Sequence, residues 1–560
     1  MWSKILTTAL LVFALGSVVG AARDPLGLRG RRPAVLAAKK EAKREALAGE
    51  MLTMEESRAF VEKHREKKFY NNKTSEFFVY SLPDVPCEFG ETYSGLIPID
   101  HRNQSEALFF VFQPKLGKAS NDLTIWLNGG PGCSSLEGWF QENGLWTWKP
   151  GTYAPVVNPY SWVNLTNMLW VEQPIGTGFS IGTPKAKTEE ETALDFIKWF
   201  KNFQNLFGIK NYKIYVTGES YAGRYVPYIS AAMLDAKDKT YYNLCGALMY
   251  DPTIGETITV QEMIPTYPFV EANSNLFSFN KTIMAELKDI HESCGYKAYI
   301  DRYLKFPPTE NQPPLFFNYS DPKNITCAIL DMVNELAFHV NPCFNIYGVN
   351  LMCPFLWDVL GMPTQLNYAP GGVYFNRSDV KAAMHAPQHI DWAGCAAIPV
   401  FVGGEDGPQG NGDLSRDPIQ EVLPKVIEAT NRVLVSNGDL GKFYCSNKPH
   451  ILLNFVLDMV IITNGTLLAI QNMTWNGKLG FQSAPSEYIF IDIDDTEWPS
   501  VFDSNGFDGY PGTQGVMGIQ HYERGLMWAE TFQSGHMQPQ YQPRSTYRHL
   551  QWLLGHINKL

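Results

Sequence analysis

Short apolar runs, each closed by a turn, recur through the middle of the chain. Leu123–Leu127 ends at Asn128-Gly-Gly-Pro, Met168–Val171 at Glu172-Gln-Pro, Lys213–Val216 at Thr217-Gly-Glu-Ser, and Arg432–Val435 at Ser436-Asn-Gly. Continuous runs of this length, bounded by Gly and Pro, are how strands buried on both faces of a parallel sheet read. Between them the period changes: Ala193, Phe196, Ile197, Phe200 and Phe203 fall at helical spacing within 190–207, and 221–234 also reads as helix. Strands alternating with helices predict an α/β domain with a mainly parallel central sheet. From about 255 to 371 the alternation fails. Pro, Asn and aromatic residues crowd in with Cys294, Cys327, Cys343 and Cys353, which predicts an inserted, disulfide-stapled cap over the carboxyl edge of the sheet.

Composition narrows the class. The 560 residues are 45% hydrophobic and 18% charged, enough apolar surface for a large core, and disorder is excluded. No internal repeat or Gly/Ser linker divides residues 69–560, which read as one large, elaborated domain. The formal charge of −11 argues against a nucleic-acid partner, because phosphate neutralisation needs clustered Lys and Arg. Basic residues do cluster in 23–68, with 13 Lys and Arg against 8 Asp and Glu and dibasic pairs such as Lys39-Lys40 and Lys43-Arg44, which suggests a removable pro-segment. Ahead of it, residues 1–22 combine Lys4, an apolar run from Ile5 to Val19 and small residues at Gly20, Ala21 and Ala22. That is the pattern of a cleaved secretory signal. Nine sequons, at Asn72, Asn103, Asn164, Asn280, Asn318, Asn324, Asn376, Asn464 and Asn472, agree with secretion and glycosylation. The stretch Ile451–Ile470 carries Asn454, Asp458 and Asn464 and is too polar for a span, so no membrane association is expected after signal cleavage. Nine cysteines are an odd number for a secreted chain. No CxxC pair and no HExxH motif occurs, so neither a metal nor any other cofactor is expected. Oligomeric state has no signature here.

The candidate chemistry centres on Lys213-Ile-Tyr-Val-Thr-Gly-Glu-Ser-Tyr-Ala-Gly-Arg224, a strand running through a tight turn into a helix. Ser220 at that turn is in nucleophile-elbow context, with small Gly218 and Ala222 where strand and helix approach closely. On such a sheet the acid and the base follow the serine in chain order. His521, His536, His549 and His556 come late enough. His549 and His556 lie on an amphipathic C-terminal helix, whereas His536 sits in Ser534-Gly-His-Met-Gln-Pro, a Gly/Pro loop suited to presenting an imidazole. His521 is the weaker alternative.

Trp126-Leu-Asn-Gly-Gly-Pro-Gly-Cys-Ser-Ser135, Glu172-Gln-Pro-Ile-Gly-Thr-Gly-Phe-Ser180, Gly218-Glu-Ser-Tyr-Ala-Gly223 and Ser534-Gly-His-Met-Gln-Pro539 together resemble the secreted or vacuolar serine carboxypeptidases over roughly residues 80–555. The resemblance implies an α/β-hydrolase fold and removal of C-terminal residues from peptides and proteins through an acyl-enzyme, best in acid. It implies Ser220 as nucleophile, His536 as base, and the backbone N–H groups of Gly130 and Tyr221 as oxyanion hole. It also implies Asn128, the Gly129 backbone, Glu142 and Glu219 as receptor for the substrate's terminal carboxylate, and a disulfide between Cys133 and Cys395. An esterase or acyltransferase on the same scaffold would need no such receptor.

The acid is where the chain departs from the family pattern of Gly-Asp-x-Asp. Gly438-Asp439-Leu440 is followed by Gly441, and Asp458-Met459 comes seventeen residues late. Excising 441–457 restores Asn-Gly-Asp-Leu-Asp-Met, removes Cys445 and leaves an even set of cysteines. Codons for Gly441-Lys442-Phe443 can carry a splice donor and those for Leu457-Asp458 an acceptor, so 441–457 reads as a retained intron. Asp458 is then the triad acid and Asp439 the runner-up. A translated insert that displaced the acid would instead leave an inactive binding or protective protein.

Overall fold

Both faces of the central strands are apolar, and the structure shows why. In this computed structural model the described residues are 67–86, 90–315, 321, 325–354, 356–361, 372–404, 411–439, 441–442, 454–455, 457–491 and 515–560. The signal, most of the pro-segment, Cys87, Cys445, Asn318, Asn324 and most of the 441–457 stretch lie outside them, as does 362–371 of the expected cap. Ten strands form one sheet: β1 (Tyr93–Asp100), β2 (Asn103–Gln113), β3 (Asp122–Leu127), β4 (Asn167–Glu172), β5 (Lys213–Glu219), β6 (Asn243–Tyr250), β7 (Val433–Asp439), β8 (Glu487–Ile491), β9 (Gly515–Glu523) and β10 (Leu526–Phe532). Their spatial order is β1-β2-β4-β3-β5-β6-β7-β10-β9-β8. The six from β4 to β10 are parallel to their neighbours, and antiparallel strands finish each edge.

Alternate residues of the same strands feed two cores. Leu123, Ile125, Leu169, Val171, Ile214, Val216, Val433 and Val435 pack into one cluster. Trp126, Met168, Trp170, Tyr215, Leu248 and Leu434 pack into another. A strand covered on both sides needs no polar alternation, hence the continuous runs. Helix α1 (Glu189–Phe207) covers the first face. Its side-chain cap is Thr188, which accepts the N–H of Glu191, and it stops at Gly208 with φ of 69°. Phe203 of α1 meets Phe110 and Phe112 of β2 edge-on, both at 5.3 Å.

Helix α2 (Ala222–Ala236) joins β5 to β6, and between β6 and β7 the chain leaves the sheet for a helical excursion with α3 (Ile264–Ala272), α4 (Lys281–Ser293), α5 (Tyr296–Tyr303) and α6 (Ile329–Val340). These share a third apolar cluster, with Met263, Leu287, Ile329 and Val333 packed among Leu457, Met459 and Leu468. Disulfides Cys294–Cys327 and Cys343–Cys353 close short loops within it, with sequence separations of 33 and 10. A third, Cys133–Cys395, ties the turn after β3 to a loop 262 residues away. Cys245 is free. No helix among the described residues is long and apolar enough to cross a membrane.

Candidate active site

Parallel strands deliver their carboxyl ends to one edge of the sheet, and loops there are the usual home of functional side chains. Asn128 follows β3, Ser220 follows β5, Asp251 follows β6, the loop to Asp458 leaves β7, and His536 follows β10. Because these strands are neighbours in that order, residues spread over four hundred positions come side by side.

Ser220 takes the left-handed conformation, φ of 62°. Its N–H is held by Tyr250 O at 2.9 Å, and its carbonyl accepts from Gly223 at 2.9 Å and Thr253 at 3.0 Å. Such a turn lifts the hydroxyl off the sheet, and Ser220 is half-buried where its neighbours are buried. A Cβ on Gly218 would come within 2.4 Å of Leu127 O and 2.7 Å of the Ala222 methyl, which is why both positions are small. Tyr221 precedes α2 as its N-cap, so its N–H has no helical acceptor. Its phenol donates to Asp413 Oδ2 at 2.6 Å, and Arg224 bonds Asp417 at 2.6 Å from the next turn. The elbow is thus pinned from behind. Gly129 lies against it, with a hypothetical Cβ 2.4 Å from Tyr221 N; only glycine leaves room for the two backbones to approach.

His536 is buried. Its N–H donates to Tyr347 O at 2.9 Å, and its ring packs on Tyr347 with centroids 5.2 Å apart. Nδ1 lies 2.8 Å from Asp458 Oδ2, while Nε2 makes no hydrogen bond and is free to receive a proton. Asp458 is itself buried, and its Oδ1 accepts from Val460 N–H at 2.8 Å. Asp439 ends β7, and its carbonyl accepts from Ser534 N–H at 3.2 Å, holding the loop that carries His536. The other candidate bases are elsewhere: His521 pairs with Glu523 at 3.1 Å on β9, and His549 is buried at 3.3 Å from the Tyr250 phenol, where desolvation pushes it down to about 3.

Asn128, Glu142 and Glu219 also meet. Asn128 Nδ2 donates to Glu219 Oε1 at 2.8 Å and to Glu142 Oε1 at 3.2 Å. Its Oδ1 accepts from Trp126 Nε1 at 2.8 Å and Gly138 N–H at 3.2 Å, fixing the amide's orientation. Glu142 ends a π-helical turn, Gly138–Glu142. Both acids are buried and share the one Asn128 amide, and two ionised carboxylates so placed could only accept and would repel. Burial pushes Glu142 up to about 7, and burial followed by the Glu142 charge holds Glu219 well above the usual carboxylate range. The Oε2 atom of each is otherwise without a partner. Protonated carboxyl groups beside a nucleophilic turn can donate to an anion there.

Sequence reasoning passed over three residues of this neighbourhood. Tyr347 comes from the helical excursion, where nothing in the sequence marked it. Gln538 lay inside the quoted Ser534–Pro539 motif, and Asp251 follows β6, a strand that none of the four apolar runs had marked. Among the sequons, Asn72, Asn103 and Asn280 are exposed. Asn164, Asn376, Asn464 and Asn472 are half-buried, and Asn376 commits both amide atoms to the Trp392 backbone at 2.6 and 2.7 Å.

Comparison with known proteins agrees with the motifs. A family profile described as "Serine carboxypeptidase" matches residues 83–556. The chain is 61% identical to the serine-type carboxypeptidase F of Aspergillus niger over 495 residues, 88% of this chain and 89% of that one. It is 40% identical to a probable serine carboxypeptidase of Arthroderma benhamiae, over 89% of this chain and 90% of that one. Its fold is similar to the crystal structure of the prohormone-processing carboxypeptidase Kex1 from Saccharomyces cerevisiae, with a TM-score of 0.62 at 22% identity, covering 86% of this chain and 96% of that one.

Proposed function

The chain belongs to the serine carboxypeptidase family, and we propose that its hydrolysis runs through Ser220, His536 and Asp458, with Asn128, Glu142 and Glu219 gripping the substrate's free C-terminus. It is a serine-type carboxypeptidase acting on peptides with a free carboxylate. Ser220 Oγ attacks the last peptide carbonyl while Nε2 of His536 takes its proton. Asp458, on Nδ1, keeps the ring in the required tautomer and balances the imidazolium. The N–H groups of Gly130 and Tyr221 receive the oxyanion. His536 then gives the proton to the departing amine, which leaves as the free C-terminal amino acid, and water attacks the acyl-enzyme by the same route in reverse.

The observation that carries this reading is the buried Glu142–Glu219 pair sharing the Asn128 amide at 2.8 and 3.2 Å, because a site that cleaves esters or internal peptide bonds gains nothing from a carboxylate receptor. Secretion into an extracellular or vacuolar compartment follows from residues 1–22, with glycans expected first at the exposed Asn72, Asn103 and Asn280. The test is the full chain acting on a free-acid peptide, followed by mass spectrometry. The wild type should shorten it one residue at a time from the C-terminus. Ser220→Ala should fold normally and lose about 10⁴- to 10⁶-fold in kcat. Near-normal release by that variant would remove Ser220 from the mechanism.

A further inference from the structure

A second carboxyl group stands behind the His536–Asp458 pair, and the mechanism above leaves it unused. Asp251 directly follows β6, the strand between the one that presents Ser220 and the one that leads to Asp458. It is wholly buried, with φ of 42°. Three bonds fix it: Oδ1 accepts Gly438 N–H at 2.8 Å, Oδ2 accepts Gln538 Nε2 at 2.7 Å, and its own N–H donates to Ser436 O at 2.7 Å. One oxygen of Asp251, one of Asp458 and a ring nitrogen of His536 all lie within 4.8 Å of one another. The two carboxyl groups are thus close neighbours in a buried site, and a direct contact between them needs a proton on one of them. The groups that face Asp251 are Asp458, His536, Glu219, Gln538 and the Tyr250 phenol, none of them a lysine or arginine that could neutralise a second anion.

We propose that Asp251 is a positioning residue of the hydrolytic reaction: its carboxyl stays protonated and donates to Asp458, fixing the Asp458 carboxylate against Nδ1 of His536. The proton is placed on Asp251 because Asp458 faces more donors: the ring N–H of His536 and the N–H groups of Val460 and Ile461, against Gly438 and Gln538 on Asp251. Burial, then the Asp458 charge, raise Asp251 well above the ordinary aspartate range in agreement. One charge is shared over two carboxyl groups, and no step moves the proton. Loss of it at high pH would set two anions in contact, and their repulsion would turn Asp458 off the imidazole.

The proposal rests on reading Asp458 and His536 as orienter and base, so the experiment includes Asp458→Asn as a control for that reading. Steady-state kinetics on the purified full chain would compare it with Asp251→Asn and Asp251→Ala. An asparagine keeps a permanent neutral donor facing Asp458 and an acceptor for Gly438, and gives up only the bond from Gln538, whose amide stays on Ser436. Asp251→Asn should therefore stay within about fivefold of wild-type kcat, and Asp251→Ala should lose about 30- to 100-fold in kcat with KM changed by less than about threefold. Asp458→Asn should lose about 10⁴-fold. Wild-type kcat should fall on the alkaline side as Asp251 ionises, and that limb should move to higher pH in Asp251→Asn, a readout that survives if the alanine variant does not fold. Loss in Asp458→Asn with full kcat in Asp251→Ala, an asparagine variant as impaired as the alanine one, or an unmoved alkaline limb would each overturn the inference. Retained kcat in Asp458→Asn would overturn the triad reading beneath it.

Discussion

Replacing Glu142 and Glu219 together by glutamine separates recognition of the C-terminus from the chemistry. In the wild type the substrate carboxylate can be held only while the pair retains protons to donate. Burial pushes Glu142 up to about 7 and holds Glu219 well above the usual carboxylate range, so the pair keeps protons through the acid range. Above about pH 7 Glu142 ionises and the receptor gains a negative charge that repels the substrate carboxylate, and KM for a free-acid peptide should rise about tenfold per pH unit, or about 100-fold between pH 7 and 9. A peptide blocked as its C-terminal amide offers no anion: its KM should be high and nearly flat. Glutamine donates a hydrogen bond at any pH, so in the double variant the free-acid KM should lie within about tenfold of wild type at pH 5 and lose its alkaline slope. Protonation of His536 enters kcat for both substrates alike, so it cannot mimic a KM effect confined to free acids. The assay is initial-rate kinetics from pH 5 to 9 on a matched acid and amide pair. A double variant that keeps the wild-type slope in KM would show that these two residues are not the receptor.

Two further predictions concern the body of the protein. Burial raises Glu142, Glu172 and Glu256 to about 7 and Glu262 to about 8. An acid whose pKa is raised by folding contributes stability that is complete below its unfolded value, near 4.5, and lost as pH rises through the folded one; each such proton is worth about 1.4 kcal/mol per pH unit in that window. His291 and His549, pushed down to about 4 and about 3, oppose this only below about 6.5, so the decline should steepen above that. The thermal midpoint should drop by at least about 5 °C from pH 5 to pH 8, and an equal or higher midpoint at pH 8 refutes the account. Second, deletion of residues 441–457 should yield a folded, active enzyme, and the predominant transcript should lack their codons. An unfolded or inactive deletion protein, or a transcript that carries those codons, contradicts the retained-intron reading.

The parts of the fold that were legible were those where burial dictates composition. Leu123–Leu127 and Met168–Val171 read directly as strands because both faces of the sheet are covered, and α1 announced itself by five apolar residues on one stripe. Strands β1 and β2 were not anticipated. Their outer ends are partly exposed and polar, as in Asn103-Gln-Ser-Glu106, so neither a continuous run nor a clean alternation marks them. β7 extends past the predicted Arg432–Val435 through Ser436-Asn-Gly-Asp439, all buried. Those four residues resemble a turn, yet their polar atoms are spent on tertiary partners such as Ile461 O at 2.9 Å from Asn437 and the Asp251 carboxyl at 2.8 Å from Gly438. Local propensity gives way where distant groups satisfy the backbone. The active-site motifs were legible because each is a short turn with a fixed geometric task. Asp251 was not, since its role depends on the strand order, which places it beside Asp458.

Asp458 departs from the family spacing yet lies 2.8 Å from Nδ1 of His536. Asp458 is fixed by its flanks: Leu457 and Met459 are both buried in the cluster of the helical excursion, and Val349 and Met459 N–H groups donate to Leu457 O at 3.1 Å and Ile346 O at 3.0 Å. These contacts place the carboxylate on His536 regardless of how much chain precedes Leu457. On the other side, Gly441 pairs with Phe455 and Lys442 with Asn454 in a short antiparallel ladder, so the stretch leaves β7 and returns to nearly the same place. Its excision would join Leu440 to Asp458, setting a leucine where Leu457 is now buried. On the proposed triad, a leucine before the acid in the short chain would replace Leu457 in that apolar slot, so the 2.8 Å contact of Asp458 to His536 should be kept by the long chain and the short one alike.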